Sequence, residues 1–362
     1  MHAVRGPPWC ASKDQGRRFT GTQRPITAPK DDFGVRRGYA MRVTQKEKEN
    51  GRLHAGVDLG GTKIETVVLG GRKVLGSARA PTPQTGADEV VDAIIQSIRD
   101  AIKAARATDA DLAGIGVGSP GVIGSDGSVG EARNVPGFGG APAPLGSRLA
   151  EAFGGTPVKV DNDVRVAVRG EWKRGAGRPY RNLLGIFVGT GVGGGLILNG
   201  QLRTGHGAAG EIGHTMVKPD GRPCSCGQKG HLEAYAGRGC IEAEAHRLHD
   251  KGRHTDLFKL MRHKGRDRAT SGVIAAALKH DDQVTKGLID SAVWALGISL
   301  ATAQNLLDLD AIVIGGGLGD RLGDPFVAAV REATLPHLFV PDRPPVFLGT
   351  ELRDLSGAVG AA

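Results

Sequence analysis

The feature that most constrains the fold of this chain is a unit that occurs twice: an apolar strand, a glycine-rich turn and a returning strand. The first copy has strand patterns at 53–59 and 64–69, and the second has them at 183–188 and 196–198. The copies lie about 130 residues apart, and helical patterns follow each of them. This repetition predicts a duplicated α/β fold with an interdomain cleft, where ligands usually bind.

The first glycine turn carries residues suited to phosphate binding. It reads DLGGTK. Glycines let backbone N–H groups approach phosphate oxygens, a Thr hydroxyl adds a hydrogen bond, and an Asp at the strand end can hold Mg²⁺. The spacing is neither that of a Walker A loop nor that of a Rossmann turn, and a purely structural hairpin is the alternative. The predicted nucleotide and Mg²⁺ contacts here are Asp58, Gly60, Gly61, Thr62 and Lys63.

Two further glycine turns extend this prediction. Gly189–Gly195 (GTGVGGG) is the counterpart of the first turn, and we expect Thr190 and Gly191 to clamp the same phosphate chain from the other side. A third turn, Gly315-Gly316-Gly317, follows a buried strand pattern. Gly316 and Gly317 are predicted to contact adenosine, and a tight strand-to-helix turn is the alternative.

A polar triplet, Asp161-Asn162-Asp163, separates a strand pattern from a helix pattern. A sugar hydroxyl is a poor nucleophile at neutral pH, so phosphoryl transfer to it needs a carboxylate that accepts the proton. Asp163 is placed for that role. The alternative is an N-cap, which Asn and Asp form routinely.

A group of four N and S ligands lies within 18 residues, with the spacing H-x9-C-x-C-x4-H. Its members are His214, Cys224, Cys226 and His231. This set fits a closed tetrahedral site for structural Zn²⁺. Cys240 is the spare candidate for the fourth ligand, and the alternative is two free thiols with incidental histidines.

The charge distribution argues against nucleic acid as a partner. Residues 1–50 hold eleven Lys or Arg against five Asp or Glu, a net +6, so the other 312 residues carry +3 of the total +9. The same 50 residues lack apolar periodicity and a signal-peptide core, so we expect a disordered tail and a cytoplasmic protein. We also expect no membrane partner, because no run approaches the roughly 18 apolar residues of a span.

The ordered series of these motifs resembles the ROK family (repressors, open reading frames and kinases) of the actin-like ATPase superfamily. The resemblance covers about 53–362 and adds NVPG at 134–137, EIGH at 211–214 and CSCGQKGHLE ending at Glu233. It implies a ribonuclease H-like duplicated fold, with Asp163 as the catalytic base. It also implies sugar-binding roles, which fall on Asn134, Gly137, Asn162, Asp163, Glu211, His214 and Glu233.

The resemblance has one departure, since the usual third cysteine of the family's zinc motif is His231 here. Histidine is a legitimate zinc ligand, so we expect a Cys2His2 site. We predict a small domain at 51–170 with the C-terminal helix 352–362, and a large domain at 171–351 with the zinc motif. Relatives that bear zinc imply a homo-oligomer, dimer or tetramer.

The resemblance implies an ATP-dependent kinase that converts glucose to glucose 6-phosphate. A kinase for N-acetylmannosamine, N-acetylglucosamine, fructose or mannose stays open, as does polyphosphate as the donor. A sugar-responsive repressor is the non-enzymatic alternative. Residues 1–50 are too short and too rich in Gly, Pro and Arg to form its winged helix.

Overall fold

A computed structural model describes residues 53–132, Val135 and residues 137–362, which lie within one compact unit. The predicted tail and Asn134 therefore fall outside the described residues. Mixed α/β architecture is confirmed, with two five-stranded sheets.

The first sheet has the strand order β3-β2-β1-β4-β7. Strands β1–β3 pair antiparallel, whereas β1, β4 and β7 run parallel. Its strands are β1 (Leu53–Leu59), β2 (Lys63–Gly70), β3 (Lys73–Pro81), β4 (Leu112–Ser119) and β7 (Val158–Asn162). A small hairpin, β5 (Val122–Ile123) and β6 (Val129–Gly130), lies between β4 and β7 in the chain.

The second sheet repeats this plan in the order β10-β9-β8-β11-β12. Strands β8–β10 pair antiparallel, and β8, β11 and β12 run parallel. Its strands are β8 (Leu183–Val188), β9 (Val192–Leu198), β10 (Gln201–Arg203), β11 (Ala311–Gly315) and β12 (Val346–Gly349). The predicted duplication is thus present at the level of strand order and direction.

Helices cover the sheets and close the cores. They are α1 (Ala87–Ala104), α2 (Leu145–Ala152), α3 (Asp163–Arg174), α4 (Glu233–Ala236), α5 (Arg238–Asp250), α6 (Leu257–His263), α7 (Ser271–Lys279), α8 (Gln283–Leu307), α9 (Gly316–Leu322), α10 (Asp324–Thr334) and α11 (Ser356–Ala361). Short 3-10 turns lie at Asp109–Asp111, Ile212–His214, Leu335–His337 and Arg353–Leu355. In α1 the apolar side chains at 91, 94, 98 and 102 are buried, as their helical spacing predicts.

Helices α4 and α5 are separated by a break at Gly237. That residue is extended, with φ −65° and ψ 129°, and its amide closes α4 by donating to the carbonyl of Glu233. The break turns α5 away from α4 and places Arg238 at the start of α5.

Helix α8 is long and apolar enough to cross a membrane by length and composition alone. It begins at the N-cap Asp282, whose carboxylate accepts the amide of Thr285, and 61% of its apolar window is buried. Leu288, Leu296 and Leu300 belong to the core beside the second sheet. This helix is therefore weak evidence for a membrane segment.

The C-terminal helix α11 packs on the first sheet and on α3 through glycines. A Cβ atom on Gly56 of β1 would collide with the carbonyl of Ala358, and one on Gly116 of β4 would collide with that of Ala361. The close approach explains glycine at both strand positions. The domain boundaries given above stay a prediction.

Glu171 ties together the two chain segments that connect the sheets. It is fully buried, and its carboxylate accepts the amides of Ala176, Glu351 and Leu352 at 2.9–3.1 Å and the hydroxyl of Ser356 at 2.7 Å. The first amide follows α3 and the other two follow β12. One carboxylate thus satisfies buried donors from both connections.

Candidate active site

The three predicted glycine turns all follow the carboxyl ends of strands. They lie after β1, β8 and β11, and β8 and β11 are parallel neighbours. Gly316 has φ +84°, and a Cβ there would overlap the backbone of Val188 at the end of β8. The second and third turns are therefore adjacent at one edge of the second sheet.

The first turn is held from behind, which leaves its front to a ligand. The amide of Gly60 donates to the carbonyl of Lys63 at 2.9 Å, and the hydroxyl of Thr82 donates to the carbonyl of Gly60 at 2.6 Å. The side-chain amide of Gln84 donates to the carbonyl of Gly61 at 3.1 Å. Thr62 is exposed at the tip of the turn.

Asp58 lies at the end of β1, opposite Gly118 of β4. Burial raises its pKa from 3.8 to about 7, the negative charge of Asp163 adds to the rise, and Lys63 opposes it. The influence of Asp163 indicates that the two carboxylates face the same region. A carboxylate oxygen such as that of Asp58 suits a hard divalent cation such as Mg²⁺.

The three residues of the polar triplet, Asp161, Asn162 and Asp163, make different interactions. Asn162 caps α3, because its side-chain oxygen accepts the amides of Val164 and Arg165 at 3.1 Å. Asp161 pairs with Arg165, with 2.6 Å between Oδ1 and Nη2. Asp163 is thereby left out of both the capping interaction and the ion pair.

Asp163 is the first residue of α3 and is half-buried. Burial raises its pKa from 3.8 to about 6; the hydrogen bond from the Val164 amide lowers the pKa, and the charge of Glu211 raises it. Oδ1 accepts that amide at 2.9 Å and the side-chain amide of Asn162 at 3.0 Å. A carboxyl with a pKa just below neutrality is ionised at pH 7 yet basic enough to accept a proton.

Glu233 links the second turn to the cysteine loop. It is buried, accepts the amide of Val192 at 2.9 Å and accepts the hydroxyl of Ser225. A Cβ on Gly191 would collide with its carboxylate. Glu233 thus lies directly behind the second turn, and its predicted contact with sugar stays a prediction.

Arg238 is a residue of this region that the sequence reasoning missed. Its guanidinium donates to the hydroxyl of Thr190 at 2.7 Å and to the carbonyl of Ala269 at 3.2 Å, and its amide donates to Gly189. A cation in the first turn of a helix opposes the helix dipole. The sequence alone gives no signal for this role, because the start of α5 at Arg238 is known only from the structure.

The four predicted zinc ligands come together. Their ligand atoms, one from each of His214, Cys224, Cys226 and His231, all lie within 4.8 Å of one another. The loop is shaped by a turn in which the amide of Cys224 donates to Gln228 at 2.8 Å and Gly227 donates to Cys224 at 3.0 Å. Two sulfur and two nitrogen donors this close fit tetrahedral Zn²⁺, and Cys240 is not a member of the group.

Of two further predicted sugar contacts, Glu211 is close enough to influence Asp163, whereas Gly137 packs against α1. Glu211 is exposed and directly precedes the 3-10 turn of His214, and its charge acts on Asp163. Gly137 has φ +80° and packs on the backbone of Ala87 at the start of α1. Both features explain why a glycine is required at this position.

Comparisons with known proteins agree with this arrangement. The sequence model of the ROK family matches residues 54–362. A glucokinase of Streptomyces coelicolor is 33% identical over 319 residues, which cover 86% of this chain and 96% of that protein. An N-acetyl-D-glucosamine kinase of Escherichia coli O9:H4 is 29% identical over 326 residues, which cover 86% and 98%.

A solved structure points the same way. The ROK family glucokinase from Streptomyces griseus, in complex with glucose and AMPPNP, is 30% identical with a TM-score of 0.71, and the match covers 86% of this chain and 98% of that one. The two repeated sheets, the ordered motifs and the match over nearly all described residues lead to one conclusion. The chain belongs to the ROK family.

Proposed function

We propose that this protein is a cytoplasmic, ATP-dependent hexose kinase that transfers the γ-phosphoryl group to the 6-hydroxyl of glucose. The proposal rests mainly on the interactions that the carboxyl of Asp163 makes and does not make. Asn162 caps the helix and Asp161 forms the ion pair with Arg165. The half-buried carboxyl of Asp163 takes part in neither, and its partners are the neighbouring Val164 amide and Asn162 side-chain amide, which both bind Oδ1.

The chemistry assigned to the chain's own residues is proton acceptance and positioning. Asp163 accepts the proton of the sugar hydroxyl as the new P–O bond forms and the bond between the β,γ-bridging oxygen and the γ-phosphorus breaks. Amides of the first and second turns and the hydroxyls of Thr62 and Thr190 hold the phosphate chain. Gly316 and Gly317 would lie against adenosine.

Asp58 would hold Mg²⁺ directly or through water, and the cation supplies charge neutralisation to the phosphates. Arg238 would do the same from the second turn, because its guanidinium is bonded to Thr190. Neither residue exchanges a proton with the sugar.

Structural Zn²⁺ would be held by His214, Cys224, Cys226 and His231. Its role is to fix the loop that carries Ser225, whose hydroxyl binds Glu233 behind the second turn. His214 and Glu211 are then positioned together as sugar ligands, in line with the family's pattern.

We also propose a homo-oligomer. Three apolar side chains, Leu306, Phe339 and Val340, are 77%, 87% and 45% exposed. Asn305 joins their two segments by accepting the amide of Phe339 and donating to the carbonyl of His337. Exposed apolar groups in one place are typical of an interaction surface; light scattering of the eluting protein would measure the mass.

The decisive test is a coupled ADP-release assay over a panel of hexoses, with Asp163→Asn as the inactive control. Glucose should give the highest kcat/KM. Preference for N-acetylglucosamine is the second candidate, supported by the N-acetyl-D-glucosamine kinase relative, and would change only the substrate. Failure of every sugar to release ADP from a folded, zinc-loaded protein would contradict the proposal.

A further inference from the structure

We propose that the chain has a second anion site, for a small molecule with several linked phosphates, on the side of the sheets opposite the glycine turns. A pocket of about 430 Å³ lies there, a volume within the range of small-molecule sites. Its position follows from topology. The β2-β3 turn at Gly71 and Arg72 and the β9-β10 turn at Asn199 and Gly200 lie at the strand ends remote from the glycine turns.

The lining of this rear pocket is strongly basic. Among its lining residues, all within the described chain, four carry a positive charge and none carries a carboxylate. The four cations are Arg72, Lys173, Arg178 and Arg181. Convergent guanidinium and ammonium groups attract phosphates, and guanidinium groups bind them through paired N–H donors.

Local partners leave much of this charge uncompensated. Arg178 lies 3.7 Å from Glu351, and Arg181 donates to the carbonyl of Asn199 at 3.4 Å. Asp310 lies nearby, but its carboxylate accepts the backbone amides of Arg181 and Asn182 at 3.1 and 2.8 Å. Glu351 and Asp310 together bring two negative charges against the four positive ones, so the pocket keeps an excess of positive charge.

Aromatic groups form part of the pocket wall. Trp172 donates to the carbonyl of Tyr180 at 3.2 Å, and the Nζ of Lys173 lies 3.6 Å from the centroid of the Trp172 ring. These contacts hold the Trp172 ring at the end of α3. A rigid aromatic wall beside cations can contact a nucleobase as well as a phosphate chain.

The pocket also touches both sheets. Arg72 comes from the first sheet, while Arg181 and Asn199 come from the second. The side chain of Arg174 at the end of α3 donates to the carbonyl of Gly71 at 2.9 Å, which ties this helix end to the β2-β3 turn. A polyanion bound across them would oppose relative movement of the two sheets.

The test measures binding of inorganic tripolyphosphate to the full chain by calorimetry and by Trp172 fluorescence. Saturating glucose and AMPPNP occupy the active site, and a parallel titration omits them so that the result does not depend on the kinase proposal. With the active site occupied, one tripolyphosphate per chain should bind, more weakly as salt increases. The binding that changes Trp172 fluorescence should have the same affinity in both titrations. Trp172→Phe should remove the fluorescence change.

The diagnostic variant is Arg72→Ala/Arg181→Ala, which should weaken binding roughly tenfold. The matched control, Arg262→Ala/Arg331→Ala, removes two exposed cations outside the pocket and should leave the affinity unchanged. Equal loss in both variants, unchanged affinity in the first, or displacement by glucose and AMPPNP would overturn the proposal.

Two further ligands identify the source of the phosphates. Inorganic phosphate should bind much more weakly than tripolyphosphate, because it engages fewer cations. Tighter binding of GTP than of tripolyphosphate would assign the site to nucleotides through Trp172 and Tyr180; equal affinity would show that the phosphate chain alone is recognised. Both of these outcomes support the site.

Discussion

Replacing Asp163 by Asn should stabilise the empty protein while it abolishes most of the activity. The carboxyl has a pKa of about 6 in the fold against an ordinary 3.8. Because the folded pKa is the higher one, the folded state loses stability as pH rises from about 4 to about 6. The difference corresponds to about 3 kcal/mol when the group is fully ionised.

Asn keeps the geometry and removes the charge. Its side-chain oxygen can still accept the amide of Val164 and the side-chain amide of Asn162, which the native Oδ1 accepts at 2.9 and 3.0 Å. The native bonds are stronger because the acceptor is charged, so we expect a net gain of about 1–3 kcal/mol. In a chain of this size that raises Tm by a few degrees, roughly 2–8 °C.

The assay is thermal unfolding without sugar, nucleotide or Mg²⁺ at pH 7.5 and at pH 5, paired with kcat at pH 7.5. The Tm difference should shrink at pH 5, where native Asp163 is mostly protonated. At pH 7.5 kcat should fall by roughly 10²–10⁴-fold. A lower Tm for the variant, or a gain that does not depend on pH, would refute the reasoning from burial.

Asp161→Asn is the matched control, since it makes the same chemical change two residues earlier. Asp161 pairs with Arg165, whose side chain is 9% exposed, at 2.6 Å. Loss of that pair should destabilise the protein by about 1–3 kcal/mol. The two variants should therefore shift Tm in opposite directions.

Four further predictions test other parts of the site. The kcat/KM for glucose should rise with pH through about 6, as Asp163 loses its proton, and a pH-rate profile checks this. Arg238→Ala should raise the KM for ATP roughly tenfold and leave the KM for glucose nearly unchanged in steady-state assays. Elemental analysis of chelator-free protein should find about one Zn²⁺ per chain, lost in Cys224→Ser/Cys226→Ser. Glu171→Ala should destabilise the fold by about 3–5 kcal/mol in chemical denaturation, because it leaves buried donors without their acceptor.

The repeated sheets were predictable because their signal is local. Each copy is a run of apolar residues, a glycine turn and a second run, and adjacent antiparallel strands need no distant information. The zinc group was predictable for a similar reason, since its four residues lie within 18 positions. Its short spacing lets local turns, such as the one from Cys224 to Gln228, bring the ligand atoms near one another.

The roles within the Asp161-Asn162-Asp163 triplet could not be separated from the sequence. Which side chain caps the helix depends on where the strand dihedrals end, and here Asn162 is the extended residue, with φ −63° and ψ 140°. Glu171 was missed for a different reason. The groups that donate to its carboxylate, at 351, 352 and 356, lie about 180 residues further along the chain. No local sequence pattern predicts such contacts.

The energetics of the site connect these points. Burial raises the pKa of both Asp58 and Asp163. The negative charge of Asp163 raises the pKa of Asp58 further, and that of Glu211 raises the pKa of Asp163 further. Lys63 opposes this at Asp58, but it also lies 3.7 Å from Glu65 and 3.4 Å from Asp354. The empty site is thus electrostatically unfavourable, and the rest of the fold must supply the stability that it lacks. A divalent cation at Asp58 and a hydroxyl donor at Asp163 would each relieve that cost, so the same arrangement that weakens the empty protein favours binding of the two groups that phosphoryl transfer to a sugar requires.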